Sequence, residues 1–430
     1  MKTFTTAIAG LGARGLDTYA PYAQKAPRSM RVAALADIDP KRVEMARVKY
    51  SVNSGMCFGS AEELLTQPKL ADLLILATQD RQHYSQAVKA LNLGYDILLE
   101  KPISPDISEC IRLRDLATKL KRKVIVCHVL RYTKFYSTIK EILDSARLGG
   151  IISVQAIENV GYWHMAHSFV RGNWRKTAET SPMILQKSCH DFDIISWLIG
   201  KRCVRVSSYG SLKYFRKSNA PEGSASYCAK AGMCRDSCPY NAVRIYLDNP
   251  NHGIKSGNTG WPVNILALNP TVDSIKDAIQ DGPYGRCVFM CDNDVVDHQV
   301  ASLEYEDDIT VAFTMSGFTP HISREIKIMC ERGQVSGDMH TNTVAVNYFG
   351  DKEEIIDISA LTADLSGHGG GDNEMMRQLF ETLSGNGKGL SSIADSVHSH
   401  VIAFAAEESR LNKGSVIDIA EFEKRRVCKN

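Results

Sequence analysis

The chain has 430 residues, of which 44% are hydrophobic and 23% are charged, a balance that excludes a disordered chain, a collagen and a coiled coil. Its 51 lysines and arginines nearly cancel its 49 aspartates and glutamates, so we expect neither nucleic acid nor a membrane surface as a partner. At roughly 100–200 residues per domain, the length predicts two or three domains.

Strand and helix patterns alternate through the first 130 residues, which predicts parallel βαβ units. The predicted strands cover residues 3–9, 31–36, 71–78, 95–99 and 124–129, and the predicted helices cover residues 13–25, 40–50, 80–93 and 108–120. We therefore predict a first domain, of the α/β class, at residues 1–130.

The pattern changes beyond residue 150. Strands predicted at 151–160 and 205–214 flank a helix at 183–199, and alternating polar and apolar residues between 298 and 358 indicate an antiparallel sheet with one covered face. Helices at 373–383 and 391–411 complete a second domain, at residues 131–430. Residues 215–297 are irregular, and we interpret them as an insert in this domain.

The chain shows no targeting or membrane signal. No apolar run approaches the roughly 20 residues that a spanning helix needs, and the N-terminal segment lacks the pattern of a signal peptide. We therefore expect a cytoplasmic protein, in which the 12 cysteines would be thiols or metal ligands.

A glycine-rich segment fits the pattern G-x-G-x-x-G, with Gly10, Gly12 and Gly15 in the fixed places and Ala13 and Arg14 between the last two. It follows a predicted strand and opens a predicted helix. There the glycines let the backbone approach a pyrophosphate, and the helix N-terminus offers unpaired N–H groups. We predict that these five residues bind a dinucleotide. The alternative is a glycine-rich turn without a ligand.

Asp37 ends the second predicted strand, 22 residues after Gly15, close to the spacing of about 20 residues expected of the acid that binds the ribose. Its carboxylate would accept hydrogen bonds from ribose hydroxyls and would repel a 2′-phosphate, which favours NAD over NADP. Lys41 and Arg42 follow closely, so NADP stays open.

Four residues directly follow predicted strand ends: Thr78, Gln79, Glu100 and Lys101. Ligands of open α/β sheets bind beyond the carboxyl ends of the strands, so we expect all four to contact the cofactor. Lys101 would also bind the substrate oxygen and stabilise a developing alkoxide, which makes it a candidate catalytic residue. The alternative is a surface lysine after a strand.

The predicted helix at 183–199 places Gln186, Lys187 and His190 on one side, because residues three and four apart are neighbours on a helix. His190 is the candidate acid–base catalyst, since a histidine with an ordinary pKa of roughly 6.5 can take a proton from a hydroxyl at neutral pH. Its alternative is a structural histidine in the core.

Several motifs, in this order, resemble the Gfo/Idh/MocA oxidoreductases, a family named after glucose–fructose oxidoreductase, inositol dehydrogenase and rhizopine catabolism. The motifs are Gly10–Gly15, Asp37, Glu100-Lys101-Pro102, Leu130-Arg131-Tyr132, Asn173-Trp174-Arg175 and His190-Asp191-Phe192-Asp193. The resemblance covers residues 1–214 and 298–420 and points to a subgroup with a Cys-containing insert. It implies a Rossmann domain followed by an α+β domain with a large, mostly antiparallel open sheet, and a homodimer or homotetramer.

The resemblance also implies roles for further residues. His83 is similar to a family position near the nicotinamide, with a capping or packing histidine as the alternative. Arg131, Trp174 and Arg175 would contact the cofactor, although the Trp–Arg pair could equally be packing. The family usually has an aspartate four residues before the catalytic histidine, whereas this chain has Gln186, with Lys187 beside it as a candidate catalytic substitute.

Three more residues are candidates for binding the substrate. Tyr162 and His164 lie in a segment dense in polar aromatic side chains, which stack on sugars and bond their hydroxyls; an ordinary half-buried loop is the alternative. The resemblance places His368 near the substrate, whereas the alternative interpretation of its glycine-rich run is a helix start capped by Asp372. With Lys101, Gln186 and His190 these residues would form the substrate site.

Five cysteines fall within the irregular insert: Cys228, Cys234, Cys238, Cys287 and Cys291. A loop of this length is not expected to order itself unaided, and a structural zinc ion held by cysteines would supply the missing stability. The spacing lacks the usual C-x2-C pairs, so an iron–sulfur cluster and unligated thiols remain as alternatives.

These observations predict an NAD(P)-dependent oxidoreductase that moves a hydride to or from a hydroxyl-bearing carbon of a sugar, sugar derivative or cyclitol. Lys101 would polarise the reacting oxygen, and His190 would take or return its proton. One alternative is a redox glycosidase, in which tightly held NAD oxidises the sugar transiently while the glycosidic bond breaks. The other is a dinucleotide-binding sensor without turnover.

Overall fold

The structure is a computed structural model that describes residues 2–232, 234–385 and 391–427. Two sheets organise these residues, one of six strands and one of nine. The strands of the first sheet lie between Phe4 and Val126, and those of the second lie between Ile151 and Asp418.

The first sheet is parallel throughout and has the strand order β3-β2-β1-β4-β5-β6. Its strands are β1 (Phe4–Ala9), β2 (Met30–Ala36), β3 (Cys57–Phe58), β4 (Leu73–Leu76), β5 (Asp96–Leu99) and β6 (Val124–Val126). All four residues of β4 are buried, as expected of a parallel strand covered on both faces. The order is that of the Rossmann fold, whose ligand crevice lies where the order reverses, between β1 and β4. The predicted α/β class is confirmed.

The three longest α-helices between these strands are α1 (Pro40–Tyr50), α2 (Asp80–Asn92) and α3 (Ile107–Leu120); two helices of four residues each lie at Tyr22–Lys25 and Ala61–Leu64. Asp39 caps α1 by accepting a hydrogen bond from the backbone of Lys41, and Pro40 occupies the first turn, where a missing amide hydrogen costs nothing. Asp106 caps α3 in the same way. Because these local signals are strong, the predicted bounds of all three helices agree with the observed bounds to within one residue.

The segment after the glycine-rich turn differs from the single helix predicted over residues 13–25. It forms a π-helical segment over Ala13–Tyr19 and a short α-helical turn over Tyr22–Lys25. The backbone N–H of Ala20 bonds to the carbonyl of Gly15, five residues earlier, and Pro21, which has no amide hydrogen, begins the second turn. Two short helical segments therefore replace the predicted helix.

The second sheet has the strand order β14-β13-β12-β11-β7-β10-β9-β8-β15. Only β7 and β10 pair in parallel among these described strands, and the other neighbouring pairs are antiparallel. The strands are β7 (Ile151–Asn159), β8 (Cys203–Ser211), β9 (His298–Tyr305), β10 (Thr310–Ser316), β11 (Ser323–Cys330), β12 (Gly333–Asp338), β13 (Thr343–Tyr348), β14 (Glu354–Asp357) and β15 (Ile417–Asp418). The predicted large, mostly antiparallel sheet is confirmed.

Helices cover one face of this sheet. The covering helices are α4 (Lys134–Asp144), α5 (Met183–Ile199), α8 (Ile393–Leu411) and α9 (Ile419–Val427). Two further helices lie elsewhere: α6 (Val272–Gln280) belongs to the insert, and α7 (Gly371–Leu383) packs on the first sheet. Helices α5 and α8 pack against each other, and α8 also contacts β8. Buried and exposed residues alternate along β9 and β10, which leaves Tyr209 and Val300 exposed on the uncovered face.

The chain between β8 and β9 consists of α6 and a series of short helical turns. Phe215, Tyr240, Tyr246 and Phe289 bury their side chains in the same core as the second sheet. The region predicted to be an irregular insert is therefore packed against the second sheet through aromatic side chains.

The described residues include no helix with the length and apolar character required to cross a membrane.

Candidate active site

The glycine-rich turn at the end of β1 is shaped by positions where a side chain would not fit. Gly10 has φ +90°, and a Cβ there would collide with the carbonyl of Ala77; a Cβ at Gly15 would collide with the carbonyl of Gly10. At Gly12, by contrast, a Cβ would fit. Leaving aside its chain neighbours, the nearest atom to it would be Nη1 of Arg42, at 3.4 Å. The turn therefore offers open backbone at Gly12, which fits the close approach of a pyrophosphate.

Asp37 lies at the end of β2, beside this turn. Its Oδ2 accepts a hydrogen bond from the backbone of Leu11 at 2.5 Å, and its Oδ1 accepts one from the backbone of Asp39 at 2.8 Å. A carboxylate accepts about four hydrogen bonds, so Asp37 keeps capacity for ribose hydroxyls. Arg42 is engaged with the carbonyl of Leu11 at 3.2 Å and with Asp39 at 3.5 Å.

Arg14 does not extend along the turn but reaches inward. Its Nε donates to Glu100 at 2.6 Å, and its Nη2 donates to Asp372 at 2.7 Å and to the hydroxyl of Tyr19. Burial raises the pKa of Glu100, but the charge of Arg14 and hydrogen bonds from Tyr19 and Arg14 outweigh that effect and lower it overall. Arg14 therefore ties the glycine-rich turn to β5 and α7, and Glu100 stays ionised between them.

Lys101 follows β5 and points toward α5. Its Nζ donates to the backbone carbonyl of Gln186 at 2.9 Å, and its backbone N–H donates to Glu100 at 3.1 Å. The Lys101–Pro102 peptide bond is cis. The predicted strand-end lysine thus lies one helical turn from His190.

Asp80 is a buried carboxylate that the sequence patterns did not single out. It begins α2, accepts a hydrogen bond from Nε2 of Gln186 and is 6% exposed. Burial raises its pKa, against the lowering effect of His83 and then of Lys101. The signal for Asp80 in the sequence is its place two residues after Thr78, at the carboxyl edge of the first sheet.

The other residues at this edge use their side chains within the protein. Oγ1 of Thr78 donates to Gln86 at 2.6 Å, and the backbone of Gln79 donates to the side chain of Gln82 at 3.4 Å. The ring nitrogens of His83 lie 2.8 Å from the carbonyl of Pro102 and 3.1 Å from that of Thr78. Both ring nitrogens of His83 therefore face backbone carbonyls, and its predicted contact with the nicotinamide stays a prediction.

His190 lies on the buried side of α5 and is 4% exposed. Its ring lies 5.5 Å from that of His128 and 6.1 Å from that of His368, between ring centres. Its pKa is lowered well below the ordinary value by burial and then by the charge of Lys101. His190 is therefore neutral near pH 7, and within the described residues its Nδ1 has no hydrogen-bond partner.

Lys187 belongs to a buried network of charges. Its Nζ lies 3.0 Å from Glu158, whose other oxygen lies 2.7 Å from Arg324; Arg324 also donates to Asp191 at 2.7 Å. Burial lowers the pKa of Lys187, although Glu158 acts to raise it. The network anchors α5 to β7 and β11. Lys187 therefore holds the helix in place, and its predicted catalytic role stays a prediction.

Arg131 and Arg175 are both paired with carboxylates. Arg131 is 4% exposed and donates to both oxygens of Asp193, at 2.6 and 2.7 Å. Arg175 donates to Asp292 at 2.8 Å. Trp174 packs near Phe169, with 6.3 Å between ring centres. Their predicted contacts with the cofactor remain predictions, because in the structure these side chains join elements of the chain.

Tyr162 and His164 lie in an aromatic cluster where the insert meets β7. Tyr162 packs edge-on against Tyr240 at 6.0 Å, and His164 packs edge-on against Trp261 at 5.0 Å, between ring centres. The pKa of His164 is lowered by burial and then by the charge of Lys187. The predicted contacts of Tyr162 and His164 with the substrate stay predictions.

Asp372 joins two predicted site residues. It pairs with Nδ1 of His368 at 3.0 Å as well as with Arg14. Asp372 was the candidate cap of this helix in the alternative interpretation of the sequence. In the structure Gly370 occupies the cap position of α7, and the carboxylate of Asp372 contacts His368 and Arg14 instead. The structure brings Lys101, Asp80, Gln186 and His190 together at one edge of the first sheet, with His368 adjoining.

No group of three or more His, Cys, Asp or Glu side chains is arranged to hold a metal ion within the described ranges of the chain. Zinc at the five insert cysteines therefore stays a prediction.

Comparisons with known proteins identify the family of the chain. Residues 4–128 match the NAD-binding Rossmann domain of an oxidoreductase family, GFO_IDH_MocA, and residues 140–418 match the C-terminal alpha/beta domain of the same family. The YteT protein of Bacillus subtilis (strain 168) is 24% identical over 417 residues, which cover 90% of this chain and 92% of that protein. The inositol 2-dehydrogenase of Corynebacterium glutamicum (strain R) is 24% identical over 206 residues, 48% of this chain and 57% of that protein.

Among solved structures, an oxidoreductase from Agrobacterium radiobacter in complex with NAD+, L-tartaric acid and magnesium superposes with a TM-score of 0.69. Its sequence identity is 15%, and the superposition covers 97% of this chain and 99% of the other, which shows a shared fold. The two matched family segments together span most of the chain, which therefore belongs to the Gfo/Idh/MocA family of oxidoreductases with an NAD-binding Rossmann domain.

Proposed function

We propose that the protein is a dehydrogenase that transfers a hydride between NAD and a hydroxyl-bearing carbon of a sugar, sugar derivative or cyclitol. The observation that carries the proposal is the juxtaposition of Lys101 and His190. The ammonium of Lys101 reaches α5 at Gln186, one turn before a histidine that burial keeps neutral. An ammonium that donates a hydrogen bond and a neutral imidazole that accepts a proton are what oxidation of an alcohol requires.

Residues of the first sheet would hold the cofactor. The open backbone at Gly12 would lie against the pyrophosphate, and Asp37 would accept the ribose hydroxyls. The negative charge of Asp37 disfavours a 2′-phosphate, which supports NAD, while Arg42 already has partners at Leu11 and Asp39. When bound, NAD supplies the atom that accepts the hydride.

The substrate would lie between Lys101 and His190. Lys101 would donate a hydrogen bond to the reacting oxygen and stabilise the negative charge that develops there. His190 would remove the hydroxyl proton during oxidation and return it during reduction. The resemblance calls for an aspartate at position 186, and the carboxylate bonded to Gln186 is instead that of Asp80, so we propose that Asp80 supplies this negative charge from α2.

The inositol 2-dehydrogenase relative supports a cyclitol among the candidate substrates. The exposed apolar residues Tyr209 and Val300, which pair across β8 and β9 of the second sheet, support association of this face with a second copy, as the predicted dimer or tetramer requires. The domain boundary near residue 130 is likewise a proposal.

The decisive experiment screens sugars, glycosides and inositols with NAD and NADP separately, following the absorbance of the reduced cofactor. We expect NAD-dependent turnover of at least one free polyol or sugar. Glycoside hydrolysis without net formation of NADH would instead establish the redox glycosidase, and tight binding of NAD with no turnover of any compound would establish a sensor.

Variants then test the assignment of the two residues. Removal of the proton acceptor in His190→Ala should lower kcat by about 100- to 10,000-fold, and loss of the donor in Lys101→Met should lower it by about 100- to 1,000-fold, while NAD still binds to both. Lys89→Met, which alters an exposed lysine of α2, is the matched control and should keep full activity. Full turnover of both active-site variants would refute the proposed roles.

A further inference from the structure

Four of the five insert cysteines line one small cavity. Cys228, Cys234, Cys238 and Cys287 surround a space of about 10 Å³. The fifth, Cys291, does not line it, and its Sγ donates to the backbone carbonyl of Cys287 at 3.3 Å. The structure thus separates four candidate metal ligands from the fifth insert cysteine, a distinction that the sequence alone did not make.

The cavity is small and closed by apolar groups. Its remaining lining includes Val288, Phe289 and Ala231. A space of this size approaches that of about one water molecule, which suits a single ion. Cys228, Cys234 and Cys287 are each less than one-tenth exposed, so a bound ion would be shielded from solvent.

The two segments that carry these thiols are already held side by side. Cys287 lies 49 residues after Cys238, yet its backbone N–H donates to the carbonyl of Ser226 at 2.9 Å, and Tyr227 pairs with Arg286 as an isolated β-bridge. The segment before Cys228 and the residue before Cys287 are therefore in register.

A buried positive charge adjoins this cavity. Arg171 is 1% exposed, and its Nη2 lies 3.5 Å from Sγ of Cys228. Its other hydrogen bonds go to the backbone carbonyls of Arg286 and Tyr240, at 2.7 and 2.6 Å. Among the side chains that the structure describes, none is a carboxylate paired with Arg171, and its buried Nη1 has no hydrogen-bond partner.

A guanidinium stays protonated in proteins, and burying one without a counter-charge is strongly unfavourable. Neutral thiols would leave Arg171 in that state. A zinc ion bound by four thiolates has a net double negative charge, so it would supply a counter-charge to Arg171.

We propose that Cys228, Cys234, Cys238 and Cys287 bind one structural zinc ion, with Arg171 as the positively charged neighbour of the site. Binding releases one proton from each of the four thiols as its sulfur bonds to zinc. In the described residues the sulfurs do not converge on a common point, so binding also requires side-chain rotations that bring each within about 2.3 Å of the ion. The zinc would join residues 228–238 to Cys287 and thereby stabilise the insert.

Metal analysis of the full-length protein, produced in medium containing both zinc and iron, tests the proposal directly. We expect one equivalent of zinc per chain. Replacement of zinc by cobalt should produce the strong visible absorption bands of a tetrahedral site with thiolate ligands. Purified protein with less than half an equivalent of zinc that gains none on reconstitution, or with iron and sulfide instead, would overturn the proposal.

Matched variants identify the ligands. Cys234→Ser should lose zinc, whereas Cys291→Ser, which alters a cysteine of the same insert outside the cavity, should keep it. Equal loss from both variants would refute the assignment of ligands. If Cys234→Ser fails to fold, the zinc content and cobalt spectrum of the native chain and of Cys291→Ser decide the question. None of these measurements depends on the dehydrogenase activity, so the two proposals can fail separately.

Discussion

At the scale of single residues, two effects set the charges in the site. Burial keeps some side chains neutral, and hydrogen-bonded or oppositely charged partners keep others ionised. Glu100 is fully enclosed yet remains ionised because Arg14 and Tyr19 bond to it. His190 is also buried, but there burial lowers the pKa and the charge of the cation Lys101 lowers it further. The same burial therefore produces an anion at one position and a neutral base at the other.

The lowered pKa of His190 predicts the pH dependence of the reaction. A neutral imidazole accepts the proton of the alcohol, so kcat/KM for oxidation at saturating NAD should stay level from about pH 7.5 to about pH 6.5 and fall only at lower pH. The measurement is a profile of kcat/KM against pH, with His190→Ala as the comparison, in which this fall should be absent. A fall centred above about pH 6.5 would contradict the assignment.

At the scale of the element, α5 positions the chemistry because charged residues along it are tied to neighbouring elements. Lys187 and Asp191 join it to the second sheet through Glu158 and Arg324, and Asp193 joins it to Arg131 near the end of β6. These contacts fix the orientation of the helix on both sides of His190, so the base is held in place relative to Lys101.

The Arg131–Asp193 pair predicts a large effect on stability. In Asp193→Asn the buried guanidinium of Arg131 loses the charge of Asp193, which accepts two of its hydrogen bonds, and we expect the free energy of unfolding to fall by about 3–5 kcal/mol. Asp144→Asn is the control, because Asp144 pairs with Lys140 on an exposed surface and should cost less than about 1 kcal/mol. Urea unfolding of the two variants measures both values. Equal small losses would show that the buried pair has little effect on stability.

Elements with strong local signals could be predicted from the sequence, whereas contacts between distant elements could not. The bounds of α5 are as predicted, 183–199, because its apolar residues recur with helical period and Gly200 ends it. The π-helical segment after Gly12 was not predicted, since it depends on a hydrogen bond five residues back.

The same distinction holds within the candidate site. The glycine-rich turn, Asp37 and Lys101 were recognised from local patterns. Asp80 and the pairing of Arg14 with Asp372 were not, because they arise when segments 106 and 358 residues apart pack together.

At the scale of the whole molecule, buried histidines make stability depend on pH. Burial lowers the pKa of five histidines that are less than one-tenth exposed: His128, His167, His190, His398 and His400. It is lowered to about 3 for His167 and His400 and to about 4 for His398. Below an ordinary pKa of roughly 6.5 the unfolded chain binds protons at these positions and the folded chain does not, so stability falls as the pH falls.

Each such histidine costs about 1.4 kcal/mol per pH unit below roughly pH 6.5. We therefore expect the Tm to drop by many degrees between about pH 7.5 and about pH 5.5, before most carboxylates titrate. Thermal unfolding at constant ionic strength measures the drop, and His400→Gln, which removes one of the five groups, should make it shallower. A Tm that does not change over this range would contradict the prediction.

The position of α7 has a consequence for how the chain folds during synthesis. Met375, Met376, Leu379 and Phe380 share a core with residues of the first sheet, and the ring of Phe380 lies 5.9 Å from that of Phe4 and 5.6 Å from that of Tyr22. The N-terminal sheet therefore lacks part of its apolar cover until residue 380 has left the ribosome. We expect the isolated segment 1–130 to expose this surface and to associate with itself, whereas the full chain buries it.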